Sequence, residues 1–169
     1  MLRTASPDAG PAASAAVFAA ELQDEHSALV AFIRLLRAEQ DALVQGDADR
    51  LAELATDKAA QLELLTHLGE LRSRHLAAQN LGAGAEGMLT WLRRNPGFAA
   101  AVSKIWRELL AQAETAQQIN QSNGILIDNR LQQNRLKLVV LQTAANSDGV
   151  YRQDGQLRPL RSTRSLSQV

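Results

Sequence analysis

The chain has 169 residues, enough for one domain, with 46% hydrophobic residues but only 4% aromatic ones. Much of the apolar content is Ala, which favours helix and buries little area, so the totals point to a lean all-α protein and not a thick α/β core. The 18 basic and 18 acidic side chains balance to a formal net charge of zero. That argues against a general nucleic-acid binder, which needs excess Lys and Arg to displace counterions from phosphates. With no Cys, disulfides, thiolate metal sites and Cys nucleophiles are excluded, and a reduced, cytoplasmic setting is compatible. No run of about 18 apolar residues occurs, so no stable membrane insertion is expected. The first residues lack a basic segment followed by a Leu-rich core, so no secretory leader is expected either.

Residues 1–12 hold two Pro and a Gly without periodicity and read as a flexible lead-in. A first helix is expected from about Ala13 to Gln45. Leu22, Leu29, Leu36 and Leu43 recur at heptad spacing, and Phe18, Phe32 and Ile33 fill out the same face, which makes a helix–helix seam. Gly46-Asp47 then ends one helix and caps the next. A second helix, about Ala48 to Gln79, carries a stripe of Leu51, Leu54, Leu62, Leu65 and Leu68, broadened by Leu64, Leu71 and Leu76. Lys58 interrupts it, with a stem that can pack while its ammonium reaches water. So short a break between two long amphipathic helices predicts an antiparallel hairpin.

The glycines of residues 80–87 close the second helix and read as linker glycines. Met88–Arg94 predicts a short connecting helix anchored by Trp91. After Asn95-Pro96-Gly97 a third long helix is expected from about Phe98 to Ala145. Its first stripe is Phe98, Val102, Ile105, Leu109, Ala116 and Ile119. From Asn120 a displaced stripe takes over: Gly124, Ile127, Leu131, Asn134, Leu138, Leu141 and Ala145. This change of phase predicts a rotated apolar face and a bend. At 1.5 Å per residue the helix would be roughly 70 Å long against some 50 Å for the first, so part of it is expected to outrun its neighbours. Residues 146–169 have two Gly, a Pro, several Ser and four Arg, and read as a flexible tail. The expected organisation is therefore a flexible 1–12, a helical domain over 13–145 and a flexible 146–169.

Chemistry finds little support in these residues. His26, His67 and His75 read as solvated surface groups. His67 shares a helical face with Glu63, but a metal would need ligands from another helix. A phosphotransfer bundle needs a Lys and a Gly soon after its reactive His, and none of the three His has them. There is no Gly-x-Ser-x-Gly elbow, no phosphate-binding Gly-x-x-x-x-Gly-Lys loop and no pair of Glu-x-x-His motifs for a di-iron site. No enzyme activity, cofactor, metal or small-molecule substrate is expected. The tail arginines 152, 158, 161 and 164 are interleaved with Asp154 and read as a solvated tail, not as a phosphate or lipid site.

The stretch Asn120–Arg135 is the exception to a plain scaffold. As core, it would leave Asn120, Asn123 and Asn134 needing buried hydrogen-bond partners. As an interface, it would let a partner helix supply both apolar cover and polar matching, with Gly124 permitting close approach. The pattern N-x-x-N-G-x-L-I-x-x-R-L-x-x-N over Asn120–Asn134, then Leu138 and Leu141, then Tyr-x-x-Asp-Gly at Tyr151–Gly155, resembles the FlgN family of flagellar type III export chaperones. The heptads of the first helix, the Asp47/Leu51/Leu54/Lys58 pattern and the Trp-Leu before the last helix fit the same resemblance. It implies a cytoplasmic chaperone that holds the amphipathic C-terminal segments of the hook–filament junction proteins FlgK and FlgL before export and prevents their premature assembly. The client-binding positions it implies are Asn120, Asn123, Gly124, Ile127, Leu131, Asn134, Leu138 and Leu141. It further implies that a tail tyrosine, here Tyr151, docks on the export gate FlhA. The residues alone leave two rivals, a structural coiled coil self-associating through the first helix and a phosphotransfer-type helical bundle.

Overall fold

The computed structural model describes residues 10–148, with side chains to residue 144. Among them are four α-helices and no strand: α1 (Pro11–Gln45), α2 (Ala48–Ala78), α3 (Ala85–Arg94) and α4 (Pro96–Asp148). Three long helices and one short connecting helix are thus what the sequence pattern predicted. α1 starts two residues before the expected Ala13 because Pro11 suits a first turn, where its missing N–H would have no partner anyway. At the other end α4 continues through Asn146 to Asp148; the remainder of the expected tail, Tyr151 included, lies outside the described residues. The chain divides into two units, Met1–Leu126 and Ile127–Val169.

The helix boundaries of the first unit have local causes. Gly46 ends α1 at φ 80°, a left-handed conformation that costs a Cβ-bearing residue about 1–2 kcal/mol, and its N–H reaches the Ala42 carbonyl. Asp47 Oδ1 accepts from the Arg50 N–H at 3.0 Å and so caps α2. At the far end of α2, Asn80 adopts φ 58°, which Asn tolerates better than most side chains. The N–H groups of Asn80 and Leu81 then bond back to the carbonyls of Ala77 and Leu76, closing a Schellman motif. That closure turns Leu81 onto the core beside Leu76.

Cross-helix partners fix the directions. Glu25, Ala28 and Glu39 on α1 meet Arg72, Gln61 and Lys58 on α2, so partner numbers fall as α1 rises and the two helices are antiparallel. α4 runs parallel to α1, with His26 opposite Glu108 and Leu36 opposite Asn123. It is antiparallel to α2, with Arg72 over Trp106 and Lys58 on Asn120. α3 provides the return: its Trp91 is fully buried against Phe18, ring centroids 4.6 Å apart, near the start of α1.

The α1 heptads are buried as expected at Leu22, Leu29, Leu36 and Leu43. Each such burial contributes about 1.5–3 kcal/mol. The α2 stripe differs from its reading. Leu62 and Leu64 are exposed, and the inward positions carry Leu54, Lys58, Gln61, Leu65, Arg72 and Leu76. Polar side chains hold these places because each has an acceptor: the Gln61 amide donates to the Ala28 carbonyl at 2.8 Å. Arg72 donates from Nε and Nη2 to both oxygens of Glu25, at 2.8 and 3.2 Å, while its guanidinium lies 5.2 Å from the Trp106 ring centroid. His75, expected on the surface, is half-buried and stacked on Phe18 at 4.4 Å. Burial lowers its pKa from the ordinary 6.5. Gly87, read as a linker glycine, sits inside α3 and is buried, because a Cβ there would run into the backbone of Gly82.

Candidate partner-binding helix

Within the first unit, α4 buries Val102, Leu109 and Ala116 at heptad spacing, and the next member of that series is Asn123. The predicted change of phase at Asn120 therefore does not occur in this unit. The seam keeps its register through Asn123, which is 1% exposed, and on to the half-buried Leu126. An amide can occupy this place because its Nδ2 finds two acceptors, while its Oδ1 has no hydrogen-bond partner among the described residues. Asn123 Nδ2 donates to the Leu36 carbonyl and to Glu39 Oε2, each at 2.8 Å. The Glu39 carboxylate also accepts from Lys58 Nζ at 2.9 and 3.1 Å, and the same ammonium donates to Asn120 Oδ1 at 2.9 Å. Gln40 reaches Ser122 Oγ at 3.2 Å beside them. This polar layer ties α1, α2 and α4 together. Lys58 was visible in the sequence as a break in the α2 stripe; Glu39 and Gln40 carried no signal of their own, because only the three-dimensional crossing of α1 and α4 brings them to the asparagines.

Asn120 and Asn123 are thus engaged inside the first unit, Asn120 at its surface and Asn123 in its core. Gly124 is exposed, with nothing within 4 Å of where a Cβ would be. The remaining sequence-derived positions lie in the second unit. Ile127, Leu131, Asn134, Leu138 and Leu141 recur at three- and four-residue steps on one helix and so share one side of it. All five are exposed, Leu138 at 58% and Leu141 at 65%. Isolated exposed leucines need no explanation, but a helical row of them marks a surface that gains by being covered. Leu136, Val139 and Val140 are also exposed and were not singled out in the sequence, although Leu-Lys-Leu-Val-Val-Leu over 136–141 is apolar on more than one side. Tyr151 lies outside the described residues.

Among the described residues, no group of three His, Asp or Glu side chains could hold a metal ion, and no helix is long and apolar enough to cross a membrane. The described residues are all-helical and carry an exposed apolar row on α4. The FlgN protein family model matches residues 14–159. The chain belongs to the FlgN family and is a flagellar export chaperone, of a family of chaperones and not of enzymes. The resemblance carried by Asn120–Asn134 is thereby borne out at the level of the family. Comparisons with curated proteins and with solved structures return no match.

Proposed function

We propose that the second unit's portion of α4 is the client-binding surface of this chaperone, and that its clients are the amphipathic C-terminal segments of FlgK and FlgL. The observation that carries this reading is the exposed row Ile127, Leu131, Leu138 and Leu141. Such a row suits an amphipathic client helix, whose apolar face it would cover, while Asn134 within the row offers a hydrogen-bonding group to that helix. A Cβ at Gly124 would meet nothing within 4 Å, which leaves room for close approach there. Asn120 and Asn123 act within the first unit, as members of the polar layer that holds α4 to α1 and α2. Covering the client helix in the cytoplasm keeps it from assembling early, and Tyr151 then docks the loaded chaperone on the export gate FlhA.

Binding of FlgK and FlgL to Leu131→Asp/Leu138→Asp tests this. Both positions are exposed, so the variant should stay folded and lose client. Undiminished binding by the folded variant would remove this surface. The same row would also serve a self-associating coiled coil, which predicts a concentration-dependent oligomer in light scattering that FlgK does not dissociate.

A further inference from the structure

Helical spacing divides the exposed apolar side chains of the second unit into two rows. Ile127, Leu131, Leu138 and Leu141 form the front row. At about 100° per residue, Leu136, Val139 and Val140 fall roughly on the opposite side of the helix. They are no less exposed: Leu136 is 66% and Val140 67% accessible. Charged positions separate the two rows, Asp128 and Arg135 about a quarter-turn to one side and Arg130 and Lys137 about as far to the other. The back side is polar at Asn129, Gln132 and Gln133, but over residues 136–141 the helix is apolar on two opposed sides, and such a stretch is built to be covered on both.

One docked helix covers a stripe about 100° wide and cannot reach both rows. We infer that the client grips α4 from both sides: a single client chain supplies two amphipathic helical segments, one on the front row and one on Leu136, Val139 and Val140, with acidic residues along their edges. This rests on the reading of the second unit as the client surface. The acidic edges follow from the excess of Arg and Lys over Asp in the positions between the rows. The same excess argues against a second copy of the chain on the back row. A two-fold pairing places the same surface patch on both sides, so the basic edges that carry Arg135 and Lys137 would face the same basic edges of the other copy. A client with acidic edges meets them instead with opposite charge.

The test uses the full chain and the C-terminal polypeptide of FlgK. Leu136→Gln/Val139→Gln/Val140→Gln alters the back row, and Leu131→Gln/Leu138→Gln the front. Gln is a good helix former and all five positions are exposed, so circular dichroism should be unchanged. Each variant is expected to weaken binding about tenfold or more in titration calorimetry, since each removes the apolar contacts of one segment. Methyl spectra of the unaltered chain should show Val139 and Val140 perturbed by client together with Leu131 and Leu138. If the back-row variant binds within about twofold of the original and Val139 and Val140 keep their resonances, while the front-row variant loses client, docking is one-sided. That result overturns the inference and leaves the proposed function standing. Undiminished binding by both variants overturns both. A back-row variant that only converts a dimer to a monomer in sedimentation assigns that row to a second copy, and likewise overturns the inference.

Discussion

Asn123 Nδ2 on α4 lies 2.8 Å from Glu39 Oε2 on α1, in a seam otherwise made of Val102, Leu109 and Ala116. The amide supplies the proton that this carboxylate contact requires. Asn123→Asp keeps the shape and replaces the donor with a second negative charge. It should destabilise the chain by about 3 kcal/mol near neutral pH, in the range for an uncompensated buried charge. The loss should shrink in acid as one of the two carboxyls takes a proton. Urea unfolding at two pH values measures both effects. Asn123→Leu should cost far less, within about 1 kcal/mol, because it continues the apolar seam and leaves Lys58 on Glu39.

A buried carboxylate makes the corresponding prediction from the other end of the bundle. Glu25 is buried, and Arg72 holds both of its oxygens while also reaching the Ala83 carbonyl at 3.3 Å. Arg72→Ala strands the carboxylate and removes the cation over Trp106. The expected loss is about 3 kcal/mol in chemical denaturation. The double variant Arg72→Ala/Glu25→Leu should recover much of it, since the buried charge is then gone as well; no recovery would show that Arg72 acts through packing alone.

Much of this scaffold is legible in the sequence because it is written in periodicity. Four leucines at heptad spacing in α1 predict a buried seam, and Gly46-Asp47 predicts the hairpin, since both depend on neighbours along the chain. The polar layer is different. Asn123 looks like a flaw in α4 until Glu39, far away in sequence, is placed beside it. The same limit explains the α2 stripe: Leu62 and Gln61 compete for the inward place, and only the Ala28 carbonyl on α1 decides for Gln61. The exposed front row was legible as a helical stripe. Its opposed row was not, because a short all-apolar run looks the same whether it is core or two separate faces.

His75 gives the fold a pH dependence. Burial lowers its pKa below the ordinary 6.5, so in the interval between the two values the unfolded chain binds more protons than the folded one. The His75 contribution is therefore complete above about pH 6.5 and falls as pH drops through that interval. Glu21 works in the opposite sense: burial, aided by Asp24 and opposed by Arg74, raises its pKa above 4.5, so the folded state holds a proton that the unfolded one releases. Comparing the chain with His75→Phe cancels the Glu21 effect. The variant should show a flatter stability profile on the acid side of neutrality, read as thermal midpoints across a pH series; equal slopes would refute a role for His75.

The tightest steric constraint lies in α3. Gly87 is buried in the helix that carries Trp91, and a Cβ at this position would overlap the Gly82 backbone. Backbone cannot swing aside as a long side chain can, so Gly87→Ala must push α3 away from residues 82–84 or displace that turn. Trp91, fully buried against Phe18, would follow. In an open helix the same substitution would gain about 1 kcal/mol from propensity. Here overpacking should reverse the sign and cost about 1–3 kcal/mol. Gly97 supplies the control, because a Cβ there meets nothing within 4 Å. Gly97→Ala should leave the denaturation midpoint unchanged or raise it, while Gly87→Ala lowers it and red-shifts the tryptophan emission as Trp91 gains contact with water.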